Sequence, residues 1–148
     1  MSGSLKLTCL DCGSVNRVPT EKLGAGPKCG TCGAKLADGK VTELSFPEAE
    51  KAAKTDGLPL VVDFWAPWCG PCRQMAPQFA QAAQALRGQA RFAKVDTQSH
   101  PDATVRHNIR GIPLMILFRD GREAARLTGA RPAAQIEALV RENLAMPA

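Results

Sequence analysis

The 148-residue sequence contains no tyrosine, and no aromatic residue of any kind precedes Phe46. The missing tyrosine carries no functional reading. The aromatic-free opening segment, however, lacks the stacking side chains that single-stranded nucleic acid requires. Long runs of one charge are absent too: 19 basic and 14 acidic residues give a net charge of +5 that is spread along the chain. Diffuse charge of this kind is a weak argument for a polyanionic partner. No apolar stretch approaches the ~20 residues of a membrane span. Met1-Ser2-Gly3-Ser4-Leu5-Lys6-Leu7 shows neither the apolar core nor the small-residue cleavage site of a secretory leader. The expectation is a cytoplasmic protein with neither membrane nor nucleic acid as partner. A Gly-rich dinucleotide fingerprint is also lacking, so no organic cofactor is expected.

What the sequence does have is cysteine, six residues in three CxxC pairs. In a reducing compartment such pairs point to metal binding or catalysis rather than to a disulfide framework. Cys9-x-x-Cys12 and Cys29-x-x-Cys32 are separated by sixteen residues, within the spacing of a four-cysteine zinc site. Gly13 and Gly33 follow the second cysteine of each pair, where a tight turn needs a permissive backbone. Four thiolates around one zinc leave no open position, so the site reads as structural. Size supports this, because a forty-residue segment buries too little apolar surface to hold itself together without a staple. Two other readings remain open: the pairs as additional redox dithiols, or a zinc site that oxidation opens. Lys40 to Glu43, after Asp38-Gly39, marks a junction with no Gly/Ser linker. Residues 1–40 are therefore expected as a zinc ribbon packed on a second domain, 41–148.

The third pair has a different setting. Leu60-Val61-Val62-Asp63-Phe64-Trp65 is β-rich and apolar apart from one carboxylate, which predicts a strand buried on both faces. Ala66-Pro67-Trp68-Cys69-Gly70-Pro71-Cys72 then opens a helix, with Cys69 at its N-terminus and Cys72 one turn in. Unpaired N–H groups and the positive end of the helix dipole stabilise an anion there, so Cys69 is expected to be a thiolate near neutral pH. A lone CxxC can also be a zinc knuckle or two buried thiols; the strand-then-helix context favours redox chemistry.

These residues resemble the thioredoxins, and the resemblance runs from about Val41 to the C-terminus. It agrees with the order of elements. Strands are predicted at Val41–Leu44, Leu60–Trp65, Ala90–Asp96, Leu114–Phe118 and Glu123–Thr128. Helices are predicted after Ser45, from the WCGPC stretch (with Pro77 kinking it), over Asp102–His107 and from near Pro132. The resulting βαβαβαββα order predicts an α/β fold, a mixed central sheet flanked by helices, with the ribbon in front. Asp120-Gly121 is expected to turn the last two strands into a hairpin.

The resemblance implies a dithiol cycle in which Cys69, the outer sulfur, attacks a substrate disulfide and Cys72 completes the exchange. Asp63, costly to bury and expected to have a raised pKa, is the candidate base for Cys72. Lys94 resembles the lysine that modulates this aspartate in the family, although a surface lysine is the plain alternative. Ile112-Pro113 resembles the family's cis-proline loop. Trp68, Gly70, Pro71, Gly111, Ile112, Pro113, Gly129 and Ala130 would form a flat, mostly uncharged docking face. Trp65 is expected to pack rather than to contact substrate. Leu114 departs from the threonine usual after that proline and is expected to bear on substrate preference. His100 and His107 are expected at the surface.

Together with the ribbon, the pattern is similar to the zinc-containing thioredoxins of the thioredoxin 2 type. It implies a monomeric protein disulfide reductase, recharged by an NADPH-dependent thioredoxin reductase. Two rivals stay open: a disulfide oxidase or isomerase, and a zinc-dependent, redox-regulated binding or holdase module.

Overall fold

The computed structural model describes residues 3–145; Met1 and Ser2 of the expected ribbon, and residues 146–148, lie outside them. Two sheets organise the chain. The smaller is an antiparallel pair, β1 (Ser4–Thr8) and β2 (Val15–Pro19), followed by a 3-10 turn over Thr20–Ala25. The larger contains β3 (Val41–Glu43), β4 (Leu60–Trp65), β5 (Arg91–Asp96), β6 (Leu114–Arg119) and β7 (Arg122–Thr128). Their order is β3-β5-β4-β6-β7, with β5 parallel to β3 and β4, and β6 antiparallel to β4 and β7. The helices are α1 (Phe46–Thr55), α2 (Gly70–Ala85), α3 (Pro101–Arg106) and α4 (Ala133–Ala145).

The strand β4 is central, and alternation decides which side each residue serves. Leu60, Val62 and Phe64 join a core with Phe46 and Ala49 of α1 and Ala103 of α3. Val61 faces the other way, into a core with Met75 and Phe79 of α2 and Ile136 and Val140 of α4. Burial on both faces follows, as the unbroken apolar run predicts.

Local chemistry sets the ends of the helices. Ser45 and Glu48 form a reciprocal capping box at the start of α1, with Pro47 in its first turn. α2 continues through Pro77 to Ala85, so the proline removes one N–H from the ladder without ending the element. Asp120 and Gly121 both have positive φ (55° and 77°), the conformation of a two-residue type I′ hairpin between β6 and β7.

The ribbon is packed firmly on the larger unit. Gly57, in the turn after α1, donates to the Lys6 carbonyl at 2.8 Å, and a Cβ there would lie 2.8 Å from Leu5 Cδ2. Asp56 accepts from the Thr8 N–H at 2.8 Å and pairs with Arg91, whose guanidinium also donates to the Thr8 carbonyl at 2.6 Å. Burial raises the Asp56 carboxyl above its ordinary range, and the adjacent Arg91 opposes that rise. Leu58 packs into the ribbon core of Leu7, Val18 and Leu36, while Leu10 packs against the core beneath α1. Lys51 of α1 donates to the Gly13 carbonyl. Substituting Gly57 by alanine should therefore cost about 1–3 kcal/mol through overpacking, measured as a lower urea midpoint.

One residue lies elsewhere than expected, and another has surroundings that the sequence did not specify. Leu114 is 2% exposed and belongs to the core with Phe46 and Phe64, so its side chain is not on the surface offered to a substrate. Leu114 alternates with Met115 and shares the face of β6 that carries Ile116, which is covered by α1 and α3. His107 is only half-exposed, its ring 5.4–5.6 Å from those of Phe46, Phe64 and Phe118. Burial pulls its imidazole below the ordinary value.

Candidate active site and metal centre

The end of β4 delivers the dithiol to the start of α2. Cys69 is the N-cap of the helix, in extended conformation, and its sulfur accepts the Cys72 N–H at 3.2 Å. The sulfur thus occupies the place where a helix collects unpaired donors, which is the setting that lowers a thiol pKa. Cys69 and Cys72 are joined as a disulfide. Their exposures, 4% and 2%, differ little. Access to the outer position comes from its surroundings: Trp68 beside it is 68% exposed, and Gly70 has open space where a side chain would stand.

The Ile112–Pro113 peptide bond is cis, and the Ile112 carbonyl oxygen lies 3.8 Å from Cys69 Sγ. The Gly129 N–H donates to the Pro113 carbonyl at 2.8 Å, tying the β7 end to this loop. A groove beside the dithiol is lined by Trp68, Cys69, Gly70, Pro71, Ile112 and Gly111, together with Thr97, Thr104, Ile109 and Arg110. The last four were not singled out from the sequence; only Arg110, directly before Gly111-Ile112-Pro113, carried a positional signal.

Asp63 is 3% exposed, and its Oδ1 has no hydrogen-bond partner. It shares a strand face with Val61, the face covered by α2. Burial pushes its carboxyl up to about 7, with the Lys94 ammonium working in the opposite direction. Lys94 stands opposite Asp63 in the β4–β5 register. A carboxyl poised near 7 beneath the helix that carries the thiols can accept or return a proton at physiological pH.

The other four cysteines come together in the ribbon. Their sulfurs all lie within 4.8 Å of one another, with Cys9–Cys32 at 3.6 Å and Cys12–Cys29 at 3.7 Å. Four sulfurs about 2.3 Å from a shared metal in a tetrahedron would be about 3.8 Å apart, so the donors fit such an ion. Each pair forms the same knuckle. Gly13 donates to the Cys9 carbonyl and Gly33 to that of Cys29, with both glycines at positive φ. Donors from the Cys32 backbone, the Asn16 side chain and the Thr31 backbone lower the Cys29 thiol to about 6, whereas Cys32, despite the Ala34 backbone donor, is pushed up to about 12 by the Cys9 sulfur and burial. The closeness of the four sulfurs, not the thiol shifts, carries the fit. Among the described residues, no helix is long and apolar enough to cross a membrane.

Known proteins resemble both segments of the chain. Residues 40–142 match the family model described as Thioredoxin, and residues 8–34 match the one described as Thioredoxin 2, N-terminal. Thioredoxin C-3 of Corynebacterium nephridii is 40% identical over 124 residues, covering 84% of this chain and 85% of that protein. Thioredoxin of Rhodospirillum rubrum is 43% identical over 93 residues, covering 63% and 86%. Among solved structures, chloroplastic thioredoxin z superposes with a TM-score of 0.65 at 34% identity, over 70% of this chain and 93% of that one.

Proposed function

The chain belongs to the thioredoxin family of thiol-disulfide oxidoreductases, and from that premise we propose that it reduces protein disulfides through Cys69 and Cys72. The observation that carries the reading is the Cys69 sulfur at the N-cap of α2, within reach of a partner one helical turn away. In the first step the Cys69 thiolate attacks one sulfur of the substrate disulfide. The other substrate sulfur leaves as a thiolate, and a mixed disulfide remains. Asp63 takes the proton of Cys72, whose thiolate then attacks Cys69 and expels the second substrate thiol. Two electrons have passed to the substrate, and the protein is left with the Cys69–Cys72 disulfide.

Lys94 modulates Asp63 in this scheme. Trp68, Gly70, Pro71, Ile112, Pro113 and Gly129 receive the substrate segment across the cis-proline loop. An NADPH-dependent thioredoxin reductase returns the two electrons. The protein works in the cytoplasm as a monomer, with a ribbon of residues 1–40 and a catalytic domain of residues 41–148. The test is a coupled assay: oxidised protein, thioredoxin reductase and a protein disulfide should together consume NADPH. No consumption above the reductase alone would reject the direction of electron flow.

Cys9, Cys12, Cys29 and Cys32 hold one zinc, supported by their closed set of four sulfur donors. Such an ion would supply cross-linking rather than chemistry on the substrate, since the four cysteines would leave it no open position. Metal analysis should find one zinc per chain, lost on Cys12→Ser or Cys32→Ser and retained on Cys69→Ser or Cys72→Ser. Zinc that follows the third pair instead would overturn the assignment.

A further inference from the structure

Lys94 lies on the same sheet face as Asp63 and Trp65. The register pairs it with Asp63, and Phe92 two residues earlier belongs to the core that contains Val61. Among the described residues its ammonium makes no hydrogen bond or ion pair. It sits instead 4.7 Å from the centroid of the Trp65 ring. Trp65 itself packs against Ala66, Cys69 and Cys72, and its indole Nε1 is buried without an acceptor. A phenylalanine, though smaller, would carry no orphaned donor. What the indole adds is the aromatic face that attracts a cation most strongly.

We propose that Trp65 is a positioning residue for the dithiol exchange: its ring holds the Lys94 ammonium on the Asp63 side of β5, and so fixes the charge felt by the carboxyl that serves Cys72. This rests on the reductase reading above. β5 presents Lys94 to Asp63, β6 presents Met115, and α2 brings Cys69 and Cys72 to the same side, joined in the oxidised protein. On the far side of β5, Glu43 of β3 stands at the Lys94 register and is exposed, with no ion pair between them among the described residues. Without the ring, Glu43 is the competing partner, and it would draw the ammonium away from Asp63. The Asp63 carboxyl would then lose the one nearby charge that favours its ionised form.

The experiment follows the Asp63 carboxyl by carbon NMR titration of the oxidised full-length protein, where neither active-site thiol titrates. Lys94→Met should raise the midpoint by about half a pH unit or more. Trp65→Leu should raise it by a similar amount, the double variant no further than Lys94→Met alone, and Trp65→Phe, which keeps a weaker ring face, should raise it by less than Trp65→Leu. The direction is diagnostic, because a variant that merely loosens packing admits water to Asp63 and lowers the midpoint. A lowered or unchanged midpoint in Trp65→Leu, or additivity with Lys94→Met, would overturn the proposal. Should Trp65→Leu not fold, fluorinated tryptophan in a Trp68→Phe background weakens the ring face without changing the shape of residue 65. An upward shift there supports the proposal and an unchanged midpoint rejects it. The readout is independent of turnover, so loss of the reductase reading would appear separately, in the NADPH assay.

Discussion

Changing Cys72 to serine should stop turnover altogether while leaving the first half of the exchange intact. Cys69 keeps its place at the head of α2, where the donors that stabilise its thiolate come from backbone groups, so it still attacks a substrate disulfide. The resolving sulfur is gone, and a serine hydroxyl is far too poor a nucleophile to replace it. Mixed disulfides should accumulate at up to one per chain, visible by mass spectrometry and released by dithiothreitol. Cys69→Ser should give none. If Cys72→Ser traps nothing under conditions where the unaltered protein turns over, the order of the two sulfurs is wrong.

Replacing Asp63 by asparagine should make the protein slower and more stable at once. An acid whose folded value is about 7, against 3.8 in an ordinary setting, binds its proton more tightly in the native state than in the unfolded chain. Below the unfolded value both states are protonated and no difference arises. Between the two values the native state holds the extra proton, so stability falls as pH rises through this window, and above it the full penalty applies. About three pH units at 1.36 kcal/mol each give roughly 4 kcal/mol as an upper figure. Asp63→Asn should recover about 2–4 kcal/mol of this at pH 8 and almost none below pH 4, measured by urea unfolding at the two pH values. Turnover in the unaltered protein should rise through about pH 7 as the carboxylate forms. The variant should lose that rise and run about tenfold or more slower at pH 8. A variant with the same stability at both pH values and an unaltered pH profile would reduce Asp63 to a packing residue.

These two residues were legible in the sequence because each breaks a local pattern. A carboxylate interrupts an apolar strand, and two cysteines bracket Gly-Pro where that strand ends. The cysteines of the ribbon announced themselves by spacing, and strand order followed from periodicity. What stayed hidden depends on partners distant along the chain. Asp56 meets Thr8 across 48 residues and Arg91 meets the same strand across 83, and nothing local marks either as an anchor of the ribbon. Leu114 was marked only by its place after the proline, and its packing with Phe46 and Phe64 depends on which face of the strand it occupies. His107 carries no flanking signal for the three phenylalanine rings around it. Lys94 and Trp65 meet only once two strands are placed in register.

The placement of β4 between β5 and β6 bears on how the molecule breathes. Amides flanked by strands on both sides exchange with solvent deuterium only through the largest openings, whereas border strands and helix ends exchange through smaller ones. The reactive turn grows directly out of this slowest-exchanging segment. Its anchoring backbone should therefore remain protected while β3 and β7 at the margins are already trading protons, and the dithiol should keep its place at the head of α2 through openings confined to β3.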